Sequence, residues 1–418
     1  MTKSYVDITE NIYEITEKYP ETIDLFVANG FTNFDNEMMR KTLGKAITLE
    51  DALKSKNISV ELFKARLEDI IEQNRPSLDS GLVAAKSEQG GEVRVEGVLP
   101  CPIRLPLLEK LDGWLAKEGD ALPFTIDYDL KAASVGVDWL KEKIATADKE
   151  DESILADVFM SAGFDLFFDK NLLGKFKANG TFKNLSGLPR LNKDFDNAEL
   201  DLKDPQGQYS MLAVVPAIFM VNTEELGERS VPKSWADLLK PEFANSVALP
   251  MRDLDLFNAV LLNIYKLYGK EGIEKLANSL LYSMHPAQMV KSDRKAPEEE
   301  KPVVTILPYF FTNMIAKDSP LQAVWPADGA IISPIFLLTK KSNEEKIKPF
   351  VDFLLSQEIG ELFAQQGKFP STNPLVDNQL PKEQKFMWLG WDYINSHDIG
   401  ALLQETEKIF YEAVGNNK

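Results

Sequence analysis

Cysteine occurs once in 418 residues, at Cys101, and histidine twice, at His285 and His397. One thiol forms no internal disulfide, and two isolated histidines do not make the paired ligand spacing of a preformed zinc site. Positive charge is scarce as well: 47 Lys and Arg stand against 65 Asp and Glu, a formal net charge of −18. Nucleic acid and anionic membrane both require a basic footprint, so neither is expected as a partner. No apolar run reaches the roughly 18 residues of a membrane-spanning helix. The start, MTKSYVDITENIYEITEKYP, has no basic n-region and no apolar h-region. The chain is therefore expected in the cytoplasm, or outside it if a leader has been removed. Walker A, GxGxxG and GxSxG patterns are also missing, which removes the usual nucleotide and hydrolase readings.

What is there suits a soluble globular protein of two or three domains, with 44% hydrophobic and 27% charged residues. Residues 1–74 read as a helical module. Thr9 is placed to cap a first helix carrying Ile12, Ile15 and Tyr19, and Asn29-Gly30 to end a second carrying Ile23, Phe26 and Val27. Thr48 opens a third, and a fourth from Ser59 places Leu62, Phe63, Leu67, Ile70 and Ile71 on one face. Residues 75–92 are polar and small, a linker. From Val93 the pattern alternates: strand Val93–Leu99, helix Leu105–Lys117, strand PFTIDYD, helix WLKEKIA, buried strand ILADVFMSAG. Such alternation predicts a mostly parallel α/β sheet with ligand chemistry at the C-terminal strand ends.

Five segments in order carry a resemblance. They are ADVFMSAGFDLFFDKNLL, DPQGQYSMLAVVPAIFMVNTEEL, VPKSWADLLKPEFANSVALP, YKLYGKEGIEKL and FVDFLLSQEIGELFAQQGKFPSTNP. Together they resemble the substrate-binding proteins of ABC importers, in the iron-family branch of the type II periplasmic-binding fold. The third is the most specific, similar to a P-x-S-W-x-D-L-L-x-P signature. The resemblance implies a two-lobed α/β clamshell over residues 93–418, with the chain crossing between lobes near Val214–Ala217. The helical module, through YPETIDLFVANGF and TLEDAL, resembles a small domain of unknown function found beside hybrid-cluster and iron–sulfur repair proteins. Relatives of that domain often place cysteine after the GF; here the residues are Thr32-Asn33-Phe34, so no thiol chemistry carries over.

The resemblance puts the loop holding Cys101 against the ligand, stiffened by Pro100 and Pro102, with Arg104 just before the helix. Ser161 and Asp165, after the buried strand, are candidates on one lobe, and Arg252 and Asp253 on the other, where helix N-termini and a guanidinium suit oxyanions. Ferric-binding relatives use a consecutive tyrosine pair. Here Tyr309 is followed by Phe310, which counts against bare ferric iron. His285 completes a low-count metal set with Cys101 and Tyr309. The expected function is a binding protein, not an enzyme. It would hold a metal, metal complex or oxyanion between hinged lobes, as an intracellular carrier or sensor. A protein partner for the helical module, or an ABC permease, is implied. Two alternatives stand: an extracytoplasmic importer receptor whose leader is gone, and an enzyme using Cys101 as nucleophile.

Overall fold

A computed structural model describes residues 6–416 other than 20–21, 24–25, 27–30, 57–59, 61–62, 65–66, 68–70, 72–91, 120–121, 123, 133–136, 147, 149–150, 196–199, 252–253, 284–300, 316–318 and 382–383. The chain divides into two compact units, Met1–Ala85 and Lys86–Lys418. The segment expected as a linker falls, up to residue 91, outside the described residues.

In the first unit, helix α1 (Ile12–Lys18) is capped by Asn11, whose side chain accepts the Glu14 amide at 2.8 Å. Thr9, the expected cap, instead donates to Asp7. Asn is the stronger N-cap of the two. Helix α2 (Leu49–Ser55) does open at Thr48, which accepts from the Asp51 amide. Asn29-Gly30 and most of the expected second and fourth helices lie outside the described residues, yet Phe26, Phe63, Leu67 and Ile71 are all buried. The Phe26 ring meets Phe31, Phe34 and Phe63 with centroids 5.9, 6.3 and 5.3 Å away. With Ile12, Ile15, Leu49 and Leu53 these rings make a core belonging to this unit alone.

Among the described residues the second unit has ten strands: β1 (Val93–Leu99), β2 (Ile126–Ala132), β3 (Val158–Ala162), β4 (Tyr209–Asn222), β5 (Val247–Leu249), β6 (Leu280–Ser283), β7 (Val304–Pro308), β8 (Leu321–Val324), β9 (Ala330–Thr339) and β10 (Phe386–Met387). Its helices include α3 (Cys101–Glu118), α4 (Asp138–Ala145), α5 (Asp165–Phe168), α6 (Trp235–Leu238), α7 (Leu254–Ser279, kinked at Gly269), α8 (Trp391–Ser396) and α9 (Ile399–Asn416). Strand order is β2-β1-β3-β9-β4-β7-β5-β6, with β8 on β4 and β10 on β9. The flanking groups β2-β1-β3 and β7-β5-β6 pair in parallel, as the alternation predicts. The middle does not. There β3–β9, β9–β4 and β4–β7 are antiparallel, so the sheet is mixed.

Each flanking group is the sheet of one lobe, and the long strands β4 and β9 belong to both. Both are buried along their whole length, as continuous apolar strands covered on two faces should be. Ser234 caps α6 in a capping box with Asp237, and Trp235 is fully buried with its indole N–H donating to the Gly329 carbonyl at 2.9 Å. Helix α3 starts four residues earlier than expected, at Cys101. Pro102 sits in its first turn, where no intrahelical N–H bond is lost, so the proline pair does not hold back the helix.

The C-terminal helices fasten both lobes. On the first lobe, the Trp391 ring of α8 lies 5.9 Å from Phe168 and 5.6 Å from Tyr209, and Asp398 pairs with Lys170 at 3.0 Å. On the second, Phe410 of α9 meets Phe257 of α7 edge to face at 5.2 Å, and Glu405 accepts from the Tyr265 hydroxyl at 3.1 Å. Phe410 is fully buried. Phe410→Ala is expected to destabilise the second unit by about 3–5 kcal/mol in denaturant melts, through lost contact and the cavity left behind. A loss below about 1 kcal/mol would mean that α9 is not packed as described.

Candidate functional site

The register of the long strands locates the cleft. On the first lobe β3 ends at Ala162, opposite Ile335 of β9, which itself pairs with Ala213 of β4. On the second lobe β7 ends at Pro308, opposite Ala217, whose β9 partner is Ile331. Between those levels, among the described strands, Val214–Pro216 and Ile332–Pro334 run on together as a bridge, with the Val214 amide also donating to the Pro370 carbonyl at 3.0 Å. Each bridge strand contains a proline, Pro216 or Pro334, and proline within a sheet belongs where a neighbour strand is missing. Ser333 and Val215 face each other at the centre of this floor.

Two pairs of loops meet above it. On one side the turn after β3 approaches the start of α7. Gly163 adopts φ 118°, and a Cβ built on it would lie 2.5 Å from Asp255 Oδ1 and 3.5 Å from Asp165 Oδ1. On the other side the turn after β7 meets residues 367–369 of the first lobe. Phe310 stacks on Phe369 with centroids 6.1 Å apart, and Lys368 Nζ sits 4.8 Å from the Tyr309 ring centroid while donating to Thr312 Oγ1 at 3.2 Å. Lys368 holds a left-handed backbone (φ 46°), an arrangement that costs about 1–3 kcal/mol and persists where its surroundings enforce it. It is half-buried, and burial pushes its pKa below the usual lysine value. No carboxylate pairs with it among the described residues. The Tyr309 ring packs edge to face on Trp325 at 5.2 Å, and burial raises its phenol pKa.

The residues singled out from sequence fare unequally. Cys101 is the first residue of α3, not a turn residue; its side chain lies outside the described residues. Arg104 is inside the helix rather than before it, 2% exposed, and its Nε donates to the Leu130 carbonyl at 2.5 Å. That makes it a tie between α3 and β2. Ser161 is buried, its hydroxyl turned to the Ala162 carbonyl at 2.9 Å. Asp165 is ion-paired with Lys141 of α4, and its Oδ1 lies 3.5 Å from the Cβ position of Gly163. Tyr309 faces the seam between lobes. Arg252, Asp253 and His285 lie outside the described residues. Among the described residues no three His, Cys, Asp or Glu side chains converge as metal ligands. Sequence reading missed Asp255, Thr312, Ser333, Lys368 and Phe369. The prolines inside the apolar runs LAVVPAIF and IISPIFLL were the available signal for the bridge.

Residues 153–397 match the family described as bacterial extracellular solute-binding protein. The chain belongs to that family. Residues 6–64 match a domain of unknown function, DUF1858. A Haemophilus influenzae protein named spermidine/putrescine-binding periplasmic protein 1 is 28% identical over 273 residues, covering 60% of this chain and 75% of that one. The fold is shared with the periplasmic binding protein P5PA (TM-score 0.52, 18% identity, 76% of this chain and 99% of that one). It is also shared with a ferric binding protein from Campylobacter jejuni (TM-score 0.52, 16% identity, 77% and 99%). All three bear the names of binding proteins, and the family is that of solute-binding components of ABC importers.

Gly163→Ala is expected to lower the thermal stability of the apo protein more than Gly180→Ala. Both glycines have positive φ, but nothing lies within 4 Å of a Cβ on Gly180, whereas Asp255 stands against Gly163. Equal losses in parallel melts would show that the lobes do not meet at this turn.

Proposed function

We propose that the cleft closes on a small organic anion, a solute bearing a carboxylate or phosphate, with Lys368 as its anchor. One observation carries the reading: a half-buried ammonium at the seam between lobes, donating to Thr312, with no carboxylate paired to it among the described residues. Buried charges are ordinarily paired, and an arriving oxyanion would supply the missing partner and restore the lysine pKa. Thr312 and the Tyr309 phenol add hydroxyl groups, while Phe310 and Phe369 offer an apolar wall.

A second reading is a cationic solute, favoured by the polyamine in the name of the Haemophilus relative. Asp165 and Asp255 both stand at the turn after β3, and Asp165 is ion-paired with Lys141. The metal reading built on Cys101, His285 and Tyr309 has less support. A phenol whose pKa is raised by burial is a costlier phenolate, and Tyr309 is the one member of that set whose side chain is described. The first unit, with a core of its own, is read as a docking module for a protein partner.

Thermal melts against a panel of small carboxylates, organic phosphates, putrescine and spermidine test the proposal. Acids are expected to stabilise, by about 2.7 kcal/mol at a hundred times Kd. Lys368→Met should weaken their binding at least about tenfold, roughly 1.4 kcal/mol, and Lys368→Arg should keep most of it. Stabilisation by the polyamines alone, unchanged in Lys368→Met, would overturn the anion reading.

A further inference from the structure

We infer that the acid held at Lys368 carries an aromatic ring, received by the half-buried rings of Tyr309, Phe310 and Phe311 with Trp325 and Phe369 beside them. The inference rests on the anion reading above and names the body of the solute whose charged end that reading describes.

Rings in the interior of this unit are closed off from solvent, as Phe159, Phe167, Phe219 and Phe336 show. Tyr309, Phe310, Phe311 and Trp325 are only half-buried, and three of them are consecutive in the turn after β7. Contiguous apolar surface left open at a cleft marks a place where an apolar group is received. The rings are linked to one another and to the first lobe. Tyr309 meets Trp325 edge to face at 5.2 Å and 75°, and Phe310 meets Phe311 edge to face at 5.2 Å and 79°. Phe310 also lies nearly parallel to Phe369, at 27°. Behind the turn, Tyr309, Phe311 and Trp325 rest on a small core cluster that includes Ile218, Met220 and Leu307. Rings supported in this way are in place before a solute arrives, so little side-chain entropy is lost on binding.

Lys368 fixes where the body of the solute must lie. Its Nζ is 4.8 Å from the centre of the Tyr309 ring and donates to Thr312 of the same turn, and Phe369 is its neighbour in the chain. A carboxylate or phosphate on that ammonium therefore has its first carbons against these rings. An aliphatic body would be buried there as well as an aromatic one. Only a ring can continue the edge-to-face pattern the site already follows, in which the positive edge of one ring meets the negative face of the next. The same negative face attracts the Lys368 ammonium. Charge contact and ring contact are thus compatible in one small molecule, with the acid on the cation and the ring against Tyr309 or Phe310.

Isothermal titration with three bodies on each of two acids tests the inference: benzoate, cyclohexanecarboxylate and hexanoate, and phenyl, cyclohexyl and hexyl phosphate. The saturated ring has the larger apolar surface, so burial alone would favour it. The aryl acid is instead expected to bind at least about threefold tighter than its saturated counterpart, the worth of one ring contact. Tyr309→Leu and Phe310→Leu should each bring that ratio close to one. The wild-type ratio stands as a test even if a variant fails to fold. A saturated ring or open chain that binds as well as the aryl acid would overturn the aromatic body and leave the anion reading intact. So would a ratio that survives both substitutions in folded protein. Failure of all six acids to bind would overturn both.

Discussion

The antiparallel pairing of β4 with β9 is the constraint on which the rest of the second unit depends. These strands are long enough to serve two sheets, and the shorter strands beside them stop at different levels. The three-residue gap between those levels creates the cleft. It also fixes which loops face each other, because the turns after β3 and β7 leave their strands at opposite edges of the gap. A hinge made of two strands with a proline in each has few torsions to move, so the lobes should rotate as rigid bodies about it.

Closing two lobes brings polar groups out of water, and a receptor is stable closed only when a solute supplies the partners they lose. On the proposed reading Lys368 is such a group: a cation at the seam, held by an aromatic face and a hydroxyl, with no carboxylate paired to it among the described residues. Asp165 shows the contrast, since Lys141 already meets its charge within one lobe. The C-terminal helices add a tether that touches both lobes, through Trp391 on one and Phe410 on the other. Hinge opening must therefore be accommodated by that tether as well as by the bridge.

Much of the fold was legible because it is written in local chemistry. The Ser234 cap with Asp237 at its third position, the apolar strands and the alternation of strand and helix all declare themselves within a dozen residues. Helix α3 was mis-started because prolines at 100 and 102 look like a stiff loop, although proline is at ease in a first turn. The central antiparallel strands were missed because strand direction depends on pairings a hundred residues apart. The site was less legible for the same reason. Lys368 and Tyr309 are joined only by folding, and Ser333 hides inside an apolar run that reads as core. Arg104, conspicuous in sequence, donates through Nε to the Leu130 carbonyl, a contact that only the folded pairing of α3 with β2 reveals.

The central claim is that the lobes swing about the β4–β9 bridge and are drawn together by an acid. Spin labels placed by Lys117→Cys on α3 and Lys270→Cys on α7, both exposed and on different lobes, in a Cys101→Ser background, would report it directly. Pulsed electron–electron distance measurement, with and without the acid that stabilises the protein most, is the decisive comparison. The account predicts a shorter and narrower distance distribution with the acid bound, and no such change in Lys368→Met. Identical distributions with and without a saturating acid would contradict it.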